Sequence, residues 1–153
     1  VTERSLTPDA LPWSVGETQY NAFTWSKHWE CDVTMWLTDG RMIEIEWKNN
    51  YEDFTIGFFK NAGGYSRKLA KRRPRRTRVD DDTVIYKHDL LASHDVPIHG
   101  YYFACPVGVI PLGRVPEYAG LIYVYGDLFG PPFVEVVRTA PTLGVAPLQE
   151  FLF

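Results

Sequence analysis

The sequence predicts an α/β or α+β domain, a mixed central β-sheet flanked by helices, and three observations carry that reading. Cys31, Val33, Met35 and Leu37 alternate with Asp32, Thr34 and Trp36. After the turn signal Thr38-Asp39-Gly40 a second strand runs over 42–48, so the two form an antiparallel hairpin. Further on, residues 101–105, 121–125 and 133–137 are short apolar runs bounded by Gly and Pro, as buried strands are. Between hairpin and later strands, Phe54, Phe58 and Phe59 recur at helical spacing within 51–60, and Val84, Leu90 and Leu91 give 83–94 a partial apolar face. Strands and helices in this order pack as layers around one sheet, with helices expected on both sides.

The remaining segments are read from weaker signals. Residues 1–14 mix Pro8 and Pro12 with polar residues without periodicity and read as a flexible arm. Ser14 with Glu17 three residues on has the form of a helix cap, so 14–28 is expected to be helical, although Tyr20, Phe23 and Trp25 hold no clean stripe. With 153 residues, 45% of them hydrophobic, the chain can bury one core and is short for two, so 1–153 is expected as a single domain.

Composition also bounds the function. Cys31 and Cys105 are too few and too far apart for a disulfide framework or a zinc ribbon, and two reduced thiols suit a cytoplasmic protein. No run approaches the ~18 apolar residues of a membrane span, and no basic start followed by an apolar run marks a signal peptide, so no membrane partner is expected. The net charge of −3 conceals a strong polarity. Arg67, Lys68, Lys71, Arg72, Arg73, Arg75, Arg76 and Arg78 supply eight of the sixteen basic residues, leaving eight against nineteen acidic ones, or −11, for the rest. Interrupted by Pro74 and followed by Asp80-Asp81-Asp82, this segment reads as a basic loop over 67–78 able to displace counterions from nucleic acid.

On the second hairpin strand Glu44, Glu46 and Lys48 share one face and Ile43, Ile45 and Trp47 the other. With a suitable register Asp32 joins Glu46 and Lys48 at one end of the hairpin. Two carboxylates suit Mg²⁺, a hard cation that fills its other positions with water and phosphate, and a neighbouring lysine can neutralise charge developing on that phosphate. Alternating charge on a strand is, however, also what a half-solvated sheet displays. Here the opposite face is apolar, and a row of charges inside a covered sheet calls for a use.

The run Glu30-Cys31-Asp32-Val33, then Ile43-Glu44-Ile45-Glu46-Trp47-Lys48 and Glu52-Asp53-Phe54, resembles the core of the PD-(D/E)XK nuclease superfamily. It is similar in particular to the MmcB-like DNA-repair group and related phage-type proteins, in which an E-x-K strand is followed by a D-F pair opening a helix. The likeness extends through Tyr86-Lys87-His88-Asp89-Leu90, Tyr101 to Pro106 and Pro116 to Ile122, covering roughly residues 28–143. It implies a restriction-endonuclease-like core, Mg²⁺ or Mn²⁺ as cofactor, Asp32 and Glu46 as metal ligands, the Trp47 backbone carbonyl as a further ligand, and Lys48 as the catalytic lysine. Because an acidic residue of the first helix often completes such sites, Glu17 is the candidate there. Lys87 and His88, like the basic loop, are candidate contacts to nucleic-acid phosphate.

The expectation is therefore a metal-dependent DNA endonuclease or repair-associated nuclease. DNA is the expected partner, RNA the alternative, and a homodimer the assembly that cutting two strands would call for. The rival is a catalytically inactive nucleic-acid-binding module on the same fold, which would be expected to have lost a ligand.

Overall fold

The computed structural model describes residues 1–26, 29–58, 87–126 and 130–144. They form an α+β arrangement around one mixed sheet whose six strands lie side by side in chain order: β1 Val15–Ala22, β2 Cys31–Leu37, β3 Met42–Trp47, β4 Gly100–Pro106, β5 Gly120–Tyr125 and β6 Phe133–Arg138. The first three strands are antiparallel neighbours, β3–β4 and β4–β5 are parallel, and β6 returns antiparallel to β5. Among the described residues of the connection from β3 to β4 are two helices, α1 Tyr51–Phe58 and α2 Lys87–Ala92. No described helix is long and apolar enough to cross a membrane.

The β2–β3 hairpin forms as expected. Gly40 takes φ +92°, a left-handed conformation that favours glycine, and the Leu37 and Arg41 backbones close the turn. The Asp39 carboxylate accepts from the Arg41 amide at 3.1 Å and from its guanidinium at 2.9 Å. Register then follows: Val33 lies opposite Ile45, Thr34 opposite Glu44 and Met35 opposite Ile43.

Each face of the sheet buries its own apolar layer. On one, Phe54 of α1 and Leu90 and Leu91 of α2 pack with Trp25, Trp29, Tyr101, Phe103, Cys105 and Leu121. On the other, Val33, Met35, Ile43, Ile45, Tyr102 and Ile122 meet Leu6 and Leu11. Both cysteines are buried free thiols, and burial pushes Cys31 up to about 12.

Three expectations are corrected. Residues 14–26 of the expected 14–28 helix are not helical: residues 15–22 form β1, pairing from Val15 opposite Leu37 to Ala22 opposite Cys31, and 27–28 lie outside the described residues. A register shift between Val15 and Glu17 disrupts the period-two alternation, which concealed the strand. Residues 1–14 are no flexible arm over their described length, since Leu6 is fully buried and the Tyr20 hydroxyl donates to its carbonyl at 3.1 Å. Finally, both described helices pack on one face, and the opposite face is covered by this amino-terminal segment, with Trp13 tilted 5.0 Å from Tyr102. Over 83–94 the helix occupies Lys87–Ala92, and Thr83 to Tyr86 lie outside the described residues, as does the basic loop.

Candidate active site at the end of the hairpin

The register that follows from Gly40 places Asp32 and Glu46 at the open end of the β2–β3 ladder. Its last paired residues are Val33 and Ile45, and beyond them the Asp32 carboxylate takes the place of a strand carbonyl: its Oδ2 accepts from the Trp47 amide at 2.8 Å. Lys48 follows directly, its amide donating to the Ala104 carbonyl at 2.9 Å and its ammonium standing 2.9 Å from Glu46 Oε1. The structure thus brings Asp32, Glu46 and Lys48 together, with the Trp47 backbone between them.

Glu44 and Glu46, two residues apart on the same face, have different surroundings. The Glu44 side chain is 1% exposed and closed in: Lys87 donates to Oε1 and the Trp25 indole N–H to Oε2. The Lys87 side chain is 3% exposed, and although burial opposes its charge, Glu44 with help from Glu46 holds its pKa above the usual lysine value. The Glu46 side chain, 17% exposed, reaches the surface. Its Oε2 accepts from the Tyr101 hydroxyl, and His88 Nε2 stands 4.0 Å away.

These surroundings set the charge states. Burial favours protonated Glu46, but Lys48, then Lys87, and the Tyr101 hydrogen bond outweigh it and pull its pKa to about 2. Asp32 goes the other way: burial first, with the Glu46 charge adding to it, pushes its pKa up to about 6 against the Trp47 hydrogen bond. Burial also holds His88 down at about 4, so the imidazole is neutral at neutral pH. It is stacked on Phe103, with Nδ1 2.6 Å from the Tyr118 hydroxyl. Arg138 fixes the turn that carries Tyr118 by donating to the carbonyls of Val115, Pro116 and Ala119.

A divalent ion at this end of the hairpin would have Asp32 and Glu46 as its carboxylate ligands. Asp32 is half-buried, and among the described residues nothing donates to its Oδ1, while Glu46 beside it is ionised. Burial is the main cause of the raised Asp32 pKa, and an ion between the two carboxylates would relieve the smaller part that the Glu46 charge adds. No three His, Cys, Asp or Glu side chains cluster to hold a metal among the described residues. The protein ligands would thus be Asp32, Glu46 and the Trp47 carbonyl, with water or phosphate completing the shell, a sparse set typical of Mg²⁺.

Other candidates are placed elsewhere. Glu17 lies on β1 opposite Trp36, exposed and bonded to Gln19. That is five residues along β1 from Ala22, the partner of Cys31, or about 16 Å at strand rise, so Glu17 cannot share an ion with Asp32. Lys87 and His88 are buried against Glu44 and Glu46 and offer no surface for a phosphate, which corrects their assignment as substrate contacts. The eight cations of 67–78 lie outside the described residues. Sequence alone does not assign Tyr101 and Tyr118 to the site, because what links them to it is the sheet register and a fixed turn. Within the sequence the one available signal was Glu44-x-Glu46, a pair of carboxylates requiring donors.

No protein-family profile matches the chain, and no curated protein matches it. Among solved structures, a protein of unknown function from Silicibacter pomeroyi is similar at 20% identity and a TM-score of 0.48, over 88% of this chain and 70% of the other.

Proposed function

We propose that this chain is a metal-dependent nuclease that hydrolyses phosphodiester bonds in DNA, with a restriction-endonuclease-like core. One observation carries the proposal: Asp32, Glu46 and Lys48 meet at the open end of one hairpin, two carboxylates with an ammonium beside them. A bound Mg²⁺ or Mn²⁺ would polarise a phosphoryl oxygen and make water a stronger nucleophile. Glu46, ionised throughout the physiological range, supplies a permanent anionic ligand. Asp32, raised to about 6, gains its full charge only above that pH or when a cation neutralises Glu46. Lys48 adds a positive charge where negative charge accumulates on the phosphorane-like transition state. The basic segment 67–78 would add affinity for the nucleic-acid backbone without sequence preference. A role in DNA repair rests on the family resemblance.

A binding module that cuts nothing is the second reading. The observation favouring it is that Lys48 is held by Glu46 with a side chain only 9% exposed. Plasmid, linear, single-stranded and branched DNA incubated with Mg²⁺ or Mn²⁺ separates the two. The nuclease reading expects metal-dependent cleavage by the wild type that Glu46→Gln and Lys48→Met abolish in folded protein. Salt-sensitive DNA binding with no cleavage of any substrate would establish the binding module instead.

A further inference from the structure

Lys48 has two tasks in the proposed reaction that conflict. Its ammonium is the partner of Glu46 Oε1, yet during hydrolysis it must turn to the phosphate. A carboxylate held only by that lysine would lose its orientation at the moment the metal site must stay rigid. Glu46 has a second holder on the neighbouring strand.

We propose that Tyr101 is a positioning residue, which keeps Glu46 in its metal-binding orientation while Lys48 leaves for the substrate. The assignment rests on the nuclease reading above. Tyr101 sits on β4, opposite Glu44 in the parallel register with β3, and its hydroxyl reaches Oε2 of Glu46, the oxygen Lys48 does not use. The ring is fully buried and boxed in: Phe103 meets it edge-on at 5.3 Å, His88 edge-on at 5.8 Å, and Tyr118 lies at 6.3 Å. The Lys87 ammonium, fixed by Glu44, is 5.4 Å from the ring centroid. With the ring packed on these sides the hydroxyl is held in place, and a donor held this way orients a metal ligand without reorganising during the reaction.

The chemistry of a phenol suits the task. Donation from a hydroxyl favours the ionised carboxylate, as a cation would, but adds no positive charge to repel a divalent ion. It also leaves lone pairs on both Glu46 oxygens. A lysine or arginine in the same place would hold Glu46 and compete with the metal.

Tyr101→Phe removes the hydroxyl and keeps the packed ring. With Mg²⁺ titrated against DNA cleavage, it is expected to lower kcat by about 10- to 100-fold and raise the half-saturating Mg²⁺ by a similar factor, leaving KM for DNA unchanged. Mn²⁺ binding followed by electron paramagnetic resonance without DNA should weaken in parallel. The control is Tyr123→Phe, which deletes a phenol donating to the Ile110 carbonyl at 2.6 Å and is expected to change neither readout. A Tyr101→Phe enzyme with wild-type kcat and metal requirement overturns the assignment and leaves the nuclease reading intact. A wild type that neither cuts nor binds Mn²⁺ overturns the nuclease reading and the role of Tyr101 with it. Should Tyr101→Phe melt too low to assay, 3-fluorotyrosine at position 101 keeps the ring and strengthens the donor. The half-saturating Mg²⁺ is then expected to fall, and an unchanged value overturns the proposal.

Discussion

Glu44 and Asp32 are both carboxylates facing the same side of one hairpin, and they meet opposite fates. Glu44 is sealed from water, with Lys87 on one oxygen and Trp25 on the other, so its charge is compensated inside the protein. Asp32 is charged against burial first and the Glu46 anion second, with one backbone amide to offset them, so its charge is held at a cost. A carboxylate that stabilises the fold is satisfied by the fold. One that costs stability needs something from outside, and under the proposed nuclease reading that is a divalent ion.

Breaking the sealed half of the comparison should have the largest effect. Glu44→Gln or Lys87→Met leaves its partner charged and buried, and a loss of about 3–5 kcal/mol in denaturant unfolding is expected. Replacing the pair together by Gln and Met should recover part of that loss, since the pair's desolvation cost disappears with it. If either single variant unfolds like the wild type, the pair is not the anchor of α2 on β3.

The next effect is in the pH dependence. His88 titrates at about 4 in the folded protein against a usual 6.5, so the folded state binds its proton less readily than the unfolded chain. Its stabilising contribution is complete above 6.5 and is lost as pH falls from there through 4, about 3 kcal/mol in all. His88→Gln should therefore show a shallower fall in stability over that window, and parallel curves for the two proteins would contradict a buried neutral imidazole.

Smaller effects sharpen the boundary of the site. Tyr118→Phe removes the hydroxyl that meets His88 Nδ1 and should cost about 1 kcal/mol. Glu17→Ala, on the exposed face of β1, should alter stability by less than about 0.5 kcal/mol and leave cleavage unchanged. Lost activity in the latter would return Glu17 to the site.

How far the sequence led depended on the range of the signal. The hairpin was legible because its alternation and the Asp39-Gly40 turn are local, and with them the convergence of Asp32, Glu46 and Lys48. The strand at 15–22 was not, since the register shift near Glu17 removes the period that identifies a strand, while Ser14 imitates a cap. Lys87 and His88 look like surface cations in sequence. Only the docking of α2 onto β3 reveals that they lie against Glu44 and Glu46. Leu6 and Leu11 carry no periodicity, so their cover of the second face follows only from tertiary packing.

The decisive position is Asp32, where the unfolding free energy and Mg²⁺-dependent DNA cleavage of Asp32→Asn are measured beside the wild type at pH 8. A raised folded pKa means that Asp32 favours folding while protonated and loses that contribution as pH rises from about 4 through 6, so at pH 8 the ionised group is a burden. Asparagine can still accept from the Trp47 amide without the charge. Asp32→Asn is expected to be more stable by roughly 1–3 kcal/mol in the absence of metal, with cleavage abolished. A variant that is less stable and still cuts would contradict that expectation.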